Sequence, residues 1–150
     1  MPKQIQFSDT EMPSNELAFF LKTRFLVCLE WISRPFLFYA TSQPATDPVI
    51  TKILPLAQQC LDACMSLIEI ISCHHRHGGI WGLLRKSFSA AVLLMVGGKR
   101  SAILKLPKDW PTWVSLSITT INVWESGASD LVWMRQTLER LSQNDGVRLT

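Results

Sequence analysis

The residues best suited to chemistry in this sequence are one cysteine and three histidines within five positions, just before two glycines: Cys73, His74, His75 and His77. An imidazole titrates near physiological pH, so such a cluster could supply a general acid, a general base or a proton donor. Cations in the last turn of a helix also interact favourably with its dipole, and this structural role is the alternative for His74 and His75. If the chain is an enzyme, its candidate catalytic residues are His77 and His75.

The same cluster is a poor metal site. Neighbours in sequence rarely converge on one ion, and no distant Cys or His completes a tetrahedral zinc set at a recognisable spacing. Cys60 and Cys64 lie one helical turn apart, but in a strongly apolar helix cysteine behaves as a small hydrophobic residue. The four cysteines lack the Cys-x-x-Cys spacing of a redox centre, and we predict buried, reduced thiols. No phosphate-binding loop, nucleophile elbow or zinc-protease motif occurs, so we predict no metal and no cofactor.

Six tryptophans in 150 residues are a second candidate feature. One interpretation is that they anchor the core. The alternative is an aromatic pocket for an apolar small molecule, with Trp81, Trp113 and Trp124 as lining and His77 or His75 as hydrogen-bond donor. Orientation in such a pocket could contribute up to roughly 7 to 11 kcal/mol to a reaction that needs no cofactor.

The basic residues are unevenly placed along the chain. Seven of them precede Asp109 with no acid between: Arg76, Arg85, Lys86, Lys99, Arg100, Lys105 and Lys108. A patch of this kind would suit nucleic acid or an acidic partner, but cations spread around an apolar helix are more typical of a solvated bundle. With 15 basic against 12 acidic residues, the net charge of +3 does not indicate direct DNA binding.

The elements that must position these residues are helices. Helical periodicity dominates from Ser14, the predicted first cap, and no alternating strand pattern of useful length occurs. Asp47 followed by Pro48 predicts a helix start, with a bend at Pro55. Gly97 and Gly98 are expected to cap the third helix, which is apolar almost all round and therefore central. Asp109 is the expected cap of the fourth. The predicted helices cover residues 14–33, 48–72, 80–96, 110–125 and 129–142.

The first predicted helix ends at Pro35, and a short aromatic segment, 36–39, leads into a polar loop at 41–47. Its apolar residues crowd one side, as on a stripe that faces a core, while Lys22, Thr23 and Glu30 break the other. The apolar residues on that stripe are Leu17, Phe20, Leu21, Phe25 and Leu29. In the last helix the buried edge is expected at Leu131, Met134, Leu138 and Leu141.

Length and composition predict one compact all-α domain. A chain of 150 residues with 47% hydrophobic residues should bury roughly 68 to 70% of its unfolded surface. We expect a single bundle of five to six mostly antiparallel helices over 14–143, with a polar N-terminal tail at 1–13 and a C-terminal tail at 144–150. The first residues lack the pattern of a signal peptide and no run of about 18 apolar residues occurs. The sequence therefore predicts an intracellular protein without a membrane partner, in nucleus or cytoplasm.

Four segments together resemble a known family: EWISRPFLFYA at 30–40, QQCLDACMSLI at 58–68, RHGGIWGLLRKSFSAAVLL at 76–94 and LPKDWPTWV at 106–114. The succession is similar to the C-terminal part of the fungal-specific transcription factor domain, the helical regulatory region of fungal zinc-cluster activators. Its strongest block is Arg-His-x-Gly-x-Trp, met by Arg76, His77, Gly79 and Trp81. The resemblance covers about 17–141 and about the last third of that family's domain.

Two departures from the family limit what the resemblance implies. The six-cysteine zinc cluster that reads DNA is missing, and Gly78 stands where the family often has a second histidine or another polar residue. The motif residues are structural in that family. The resemblance thus implies a stand-alone regulatory or interaction domain, linked to a secondary-metabolite pathway. It would bind another fungal regulator, itself or a small effector, and its sign would be an exposed apolar helix face of several hundred Å².

The alternative function is a cofactor-independent enzyme of fungal secondary metabolism, a Diels-Alderase-like cyclase (pericyclase) or an isomerase. Such chemistry needs an aromatic pocket that holds the reactive conformer and one or two hydrogen-bond donors. A deep enclosed pocket with a histidine in its wall would favour it over the interaction domain.

Overall fold

A computed structural model of the chain describes residues 16–73, 79–126 and 128–146, and these residues form helices and no strand. The helices are α1 (Glu16–Ser42), α2 (Pro48–Ser72), α3 (Ile80–Gly98), α4 (Pro111–Trp124) and α5 (Ser129–Asn144). Each helix packs against its successor, and α3 contacts all four others. The predictions of an all-α fold and of a central third helix are confirmed. The expected cap Ser14 and the expected tail 1–13 lie outside the described residues.

The start of α2 follows from its first two residues. The side chain of Asp47 accepts a hydrogen bond from the amide of Val49 at 2.8 Å, and Pro48 occupies the first helical position. Because this position needs no intrahelical amide donor, proline fits there without loss. Pro55 lies within α2 on its exposed side, so the carbonyl that it leaves unpaired can be hydrated. The predicted start is confirmed.

The predicted end of α1 at Pro35 is wrong, because the helix continues to Ser42. Pro35 is exposed, and the carbonyl it leaves without an amide donor belongs to Trp31, also on the exposed side. Beyond the proline, Leu37 and Ala40 are fully buried in the core. Their burial holds the helical course through a residue that usually ends it, so 36–39 is not a separate segment.

The orientation of α1 is also the reverse of the predicted one. Its buried residues are Thr23, Leu26, Glu30, Ser33, Leu37 and Ala40, whereas Leu17, Phe20 and Phe25 of the predicted apolar stripe are exposed. The inward polar groups are satisfied locally: Thr23 donates to the carbonyl of Phe19 at 2.8 Å and Ser33 to that of Leu29 at 2.6 Å. Thr23, Ser33 and Ala40 are therefore small or bonded to their own helix, and they fill the inner side of α1 between the apolar side chains of Leu26 and Leu37.

Gly97 and Gly98 do not cap α3 as expected, since both lie inside the helix and neither has a positive φ. Their role is close packing. A Cβ built on Gly97 would lie 2.7 Å from Leu61 Cδ2, and one on Gly98 would lie 2.6 Å from Trp110 Cζ2. The missing side chains let α2 and the start of α4 approach α3.

The last two helices close the bundle. Trp110, not Asp109, is the N-cap residue of α4, and it makes no side-chain cap because its indole offers no acceptor for a backbone amide. The side chain of Asp109 is therefore not the cap that we expected. In α5, Leu131, Met134 and Leu138 are buried as predicted, and Leu141 packs on the core. Gly146, two residues after the end of α5, has a φ of 64°.

Two helices of the described chain, α2 and α3, are long and apolar enough to cross a bilayer, with mean hydropathies of 1.3 and 1.4. The bundle buries 44% of the residues in the apolar 18-residue stretch of α2 and 50% of those in the corresponding stretch of α3. Core helices of soluble proteins meet the same criterion, so the two helices are weak indicators of a membrane span, and a soluble protein is compatible with them.

Candidate functional site: the outer face of the first helix

The most unusual surface of the described chain is a stripe of large apolar side chains along α1. We call it the outer face and define it as Leu17, Phe20, Phe25, Trp31, Ile32, Phe38 and Tyr39, which are between 36% and 71% exposed. At 100° per residue they fall within about 140° of the helix circumference, and they extend over about 33 Å of its axis. The outer face is therefore one continuous surface.

Charged groups barely interrupt the outer face. Of the twelve exposed positions in α1, only Glu16 and Arg24 carry charge. The guanidinium of Arg24 lies over the ring of Phe20, 5.1 Å from its centroid, and the ammonium of Lys86 from α3 lies 4.4 Å from the Trp31 centroid. Both cations thus rest on aromatic faces, where their attraction to the rings is favourable.

The size of the outer face is what separates it from ordinary surface. An aromatic side chain covers about 150 to 250 Å² when buried, so a half-exposed one leaves about 100 Å² in water, and the seven side chains together leave about 700 Å². The largest apolar patch on a typical monomer is about 300 to 600 Å², and patches above that range mark interaction sites. By this measure the outer face is larger than the largest apolar patch of a typical monomer.

The inner side of α1 carries the most buried ionisable cluster of the described chain. Glu30 is 2% exposed, and its two carboxylate oxygens accept hydrogen bonds from Nε and Nη2 of Arg34 at 2.6 and 2.9 Å. Two buried thiols of α2, Cys60 and Cys64, come within 4.8 Å of that carboxylate and of each other. Cys60 donates a weak hydrogen bond to the carbonyl of Glu30 at 3.8 Å. The cluster links α1 to α2.

These donors are a carboxylate and two sulfurs, a set that zinc can use. Both oxygens of Glu30 are already held by Arg34, however, and an ion there would lie beside a guanidinium in a buried site, where like charges repel strongly. A hydrogen bond with Cys60 together with burial raises the pKa of Cys64 well above that of a free thiol, so Cys64 stays protonated at neutral pH. The geometry favours a structural role.

The prediction of four buried thiols is confirmed for Cys60 and Cys64 and is wrong for the other two. Cys28 and Cys73 are exposed. Cys28 lies on the solvent side of α1, among the residues of the outer face, because α1 turns its small and polar residues inward.

A groove of about 260 Å³ lies between the beginnings of α1 and α3. Phe19, Val27 and Leu83 form its apolar wall, with Arg24 and Lys86 at the rim. It is half open to solvent and is continuous with the outer face through Phe20. None of Trp81, Trp113 and Trp124 lines it.

The three predicted pocket tryptophans lie in different surroundings. Trp81 is exposed on α3, while Trp113 and Trp124 are half-buried at opposite ends of α4. The indole N–H of Trp113 donates to a carboxylate oxygen of Glu69 at 2.8 Å. Eleven residues separate Trp113 from Trp124, which is about 16 Å along a helix axis. The structure does not bring these two together.

The predicted catalytic residues His75 and His77 lie outside the described residues, as does His74. Of the predicted cluster only Cys73 is described, as the exposed C-cap residue of α2. The proposed acid, base or donor roles of the histidines stay predictions. The outer face was missed from the sequence, although a signal existed: continuing the helix past Pro35 gives a second inward stripe at 23, 26, 30, 33, 37 and 40, which turns the aromatic residues outward.

No family model, no curated protein and no solved structure matches this chain. The resemblance to the fungal transcription factor domain therefore stays a prediction beside the observed all-α fold.

Proposed function

We propose that this chain is a helical regulatory or interaction domain that binds a protein partner through the outer face of α1. The observation that carries the proposal is the continuous apolar stripe of about 700 Å² on that face. Leaving such a surface in water has no benefit for a monomer, whereas aromatic side chains of this kind dominate the energetics of protein interfaces. The expected partner is a protein that presents an apolar helix face, as a related regulator would.

The basic residues support a protein partner rather than nucleic acid. Of the six described cations between 85 and 108, four are engaged within the chain. Arg85 pairs with Asp130 at 2.9 Å, Lys99 pairs with Asp145 at 3.0 Å, Lys86 lies on Trp31, and Arg100 donates to backbone carbonyls. A DNA footprint needs free cations clustered on one face. These cations instead stabilise the bundle.

The cellular setting we propose is a reducing, intracellular one. All four cysteines are free and two are exposed, and exposed thiols persist unpaired where glutathione keeps them reduced. The link to fungal secondary metabolism rests on the sequence resemblance alone.

The test is a strain lacking this gene, complemented with the wild-type chain, with Ile32→Asp or with Val123→Asp. Ile32 is 71% exposed at the outer face, and Val123 is 68% exposed on α4, so the two substitutions are matched in size, burial and added charge. We expect the deletion to shift a set of pathway transcripts, with rescue by the wild type and Val123→Asp but not by Ile32→Asp. Immunoblots check that the three proteins accumulate equally.

Two results would overturn the proposal. Unchanged transcripts with one accumulating precursor would favour the cofactor-independent cyclase or isomerase, and that precursor would be its substrate. Full rescue by Ile32→Asp would show that the outer face of α1 has no part in the function.

A further inference from the structure

We infer that the occupant of the outer face is a second copy of this chain, paired about a two-fold axis that passes close to Cys28. The inference deepens the proposed function and rests on it for the surface, but it commits to one partner. Most soluble oligomers are two-fold dimers, in which the same patch of each copy meets itself.

The area of the outer face agrees with this occupant. A standard interface buries about 800 Å² on each partner, and the seven side chains of the outer face expose about 700 Å². A small effector seated in the adjoining groove of about 260 Å³ would leave most of that surface uncovered. The outer face of a second copy has the same length and width, so it can cover the whole surface.

The distribution of residues along α1 is compatible with self-pairing. The outer face runs from Leu17 to Tyr39, and its midpoint is residue 28, which is an exposed cysteine with a small side chain. If two copies of α1 cross antiparallel at this point, Leu17 of one faces Tyr39 of the other and Phe25 faces Trp31. A small residue at the crossing point lets two helices approach, and large residues on both sides then interdigitate.

The charges on the outer face argue against two other occupants. Arg24 and Lys86 are both placed on aromatic rings, and an amphipathic helix that binds anionic lipid uses a larger set of free Lys and Arg. An acidic peptide would likewise need free cations. Because the pairing is apolar, added salt should not dissociate it, whereas salt would weaken an electrostatic complex.

The first test measures the mass of the purified full chain by sedimentation equilibrium over a wide concentration range. The expected mass is twice 17.0 kDa, in low and in high salt. Ile32→Lys should raise the dimer dissociation constant at least tenfold, since in this register Ile32 faces Arg24 and the substitution sets two cations against each other in an apolar interface. Val123→Lys should leave it unchanged. Circular dichroism checks that both variants keep their helix content.

The second test uses Cys28 as a reporter of the axis. A mild oxidant, oxidised glutathione, should join two copies through a Cys28–Cys28 disulfide. The S–S bond of glutathione breaks in the exchange, and it takes up the two electrons and the two thiol protons as two molecules of reduced glutathione. The expected cross-linked dimer forms from the wild type and from Cys73→Ser, but not from Cys28→Ser. Cross-linking that needs Cys73 and not Cys28 would overturn the placement of the axis.

Three results would overturn the inference, and each leads to a different conclusion about the proposed function. If the wild-type chain stays at 17.0 kDa while Ile32→Asp does not rescue the deletion strain, the outer face binds a different protein. That result overturns the self-pairing and leaves the proposed function intact. A monomer whose outer face is protected from labelling would mean that residues 1–15 cover it. A monomer that floats with vesicles of anionic phospholipid, and is released by Ile32→Asp, would assign the face to a membrane surface.

Discussion

Arg34 and Glu30 form an ion pair on one helix, four residues apart, with very different exposure. The Glu30 side chain is 3% exposed and that of Arg34 is 30% exposed, so the guanidinium connects a buried carboxylate to water. The same contact raises the pKa of Arg34, which stays charged under all ordinary conditions. Because a buried charge is tolerated only when it is paired, this arginine makes the position of Glu30 tenable.

Replacing Arg34 by methionine should lower the free energy of unfolding by about 3 kcal/mol, since it leaves the Glu30 carboxylate buried without its partner. The double variant Glu30→Gln/Arg34→Met should recover more than half of that loss because no buried charge is left. Urea unfolding of the wild type, both single variants and the double variant measures the coupling. A loss below about 0.5 kcal/mol for Arg34→Met, the size of an ordinary surface change, would contradict the burial of this pair.

Tyr39 offers a pH-dependent reporter, because it is the single tyrosine of the chain. Its hydroxyl donates to Asp47 at 2.9 Å, and this hydrogen bond to a carboxylate raises the pKa of Tyr39. A raised folded-state pKa means that the contact stabilises the fold below the ordinary tyrosine value of about 10 and is lost as pH rises through the folded-state value.

The ultraviolet absorbance of the phenolate should therefore appear at higher pH in the native wild type than in Asp47→Asn. Asparagine is a good N-cap, so this variant keeps the start of α2 while it removes the negative acceptor. Superimposable titration curves for the two proteins would show that the hydrogen bond between Tyr39 and Asp47 does not persist in solution.

At the scale of the helices, two glycines in α3 provide a matched pair. Gly98→Ala would bring a methyl group against the Trp110 ring and should destabilise the fold by about 1 to 2 kcal/mol, because overpacking costs more than the gain in helix propensity of about 1 kcal/mol. Gly82→Ala meets open space and should stabilise it by up to about 1 kcal/mol. Thermal unfolding of both variants shows whether each substitution raises or lowers the stability of the fold. A stabilised Gly98→Ala would place Trp110 elsewhere.

The sequence predicts best those features that depend on neighbouring residues. The start of α2 depends on Asp47 and Pro48 alone, and the buried edge of α5 depends on a spacing of three and four residues. Gly97 and Gly98 instead respond to Leu61 and to the Trp110 ring, contacts that no local pattern reveals. The helical course through Pro35 likewise depends on the burial of residues beyond it.

The candidate site was unpredictable for a related reason. Periodicity places Phe20 and Phe25 on one side of α1 and Thr23 and Glu30 on the other, but it does not say which side is inside. The larger apolar side is usually buried. Here Arg34 compensates Glu30, and Thr23 bonds to its own helix, so the polar side can face the core.

At the scale of the whole molecule, stability and association should be coupled. A ligand that binds only the folded state stabilises it by mass action, and a second copy is such a ligand. Once protein is in excess over the dissociation constant, each tenfold rise in concentration should add about 1.4 kcal/mol per dimer, which raises the melting temperature by a few degrees. Differential scanning calorimetry should show this rise for the wild type and Val123→Lys, and no rise for Ile32→Lys. A melting temperature independent of concentration in all three would contradict dimerisation.

The side chain of Arg100 has a consequence for the order of folding. Arg100 follows α3, yet its side chain donates to the carbonyls of Thr41, in the last turn of α1, and of Gln43, the residue just after α1. These acceptors lie 59 and 57 positions earlier. The last turn of α1 is formed by residues that are neighbours in sequence. The carbonyls at its end, however, accept hydrogen bonds from Arg100, which reaches them only after α3 has docked. Slow hydrogen exchange at that turn should therefore arise late in refolding, together with α3 and after the middle of α1.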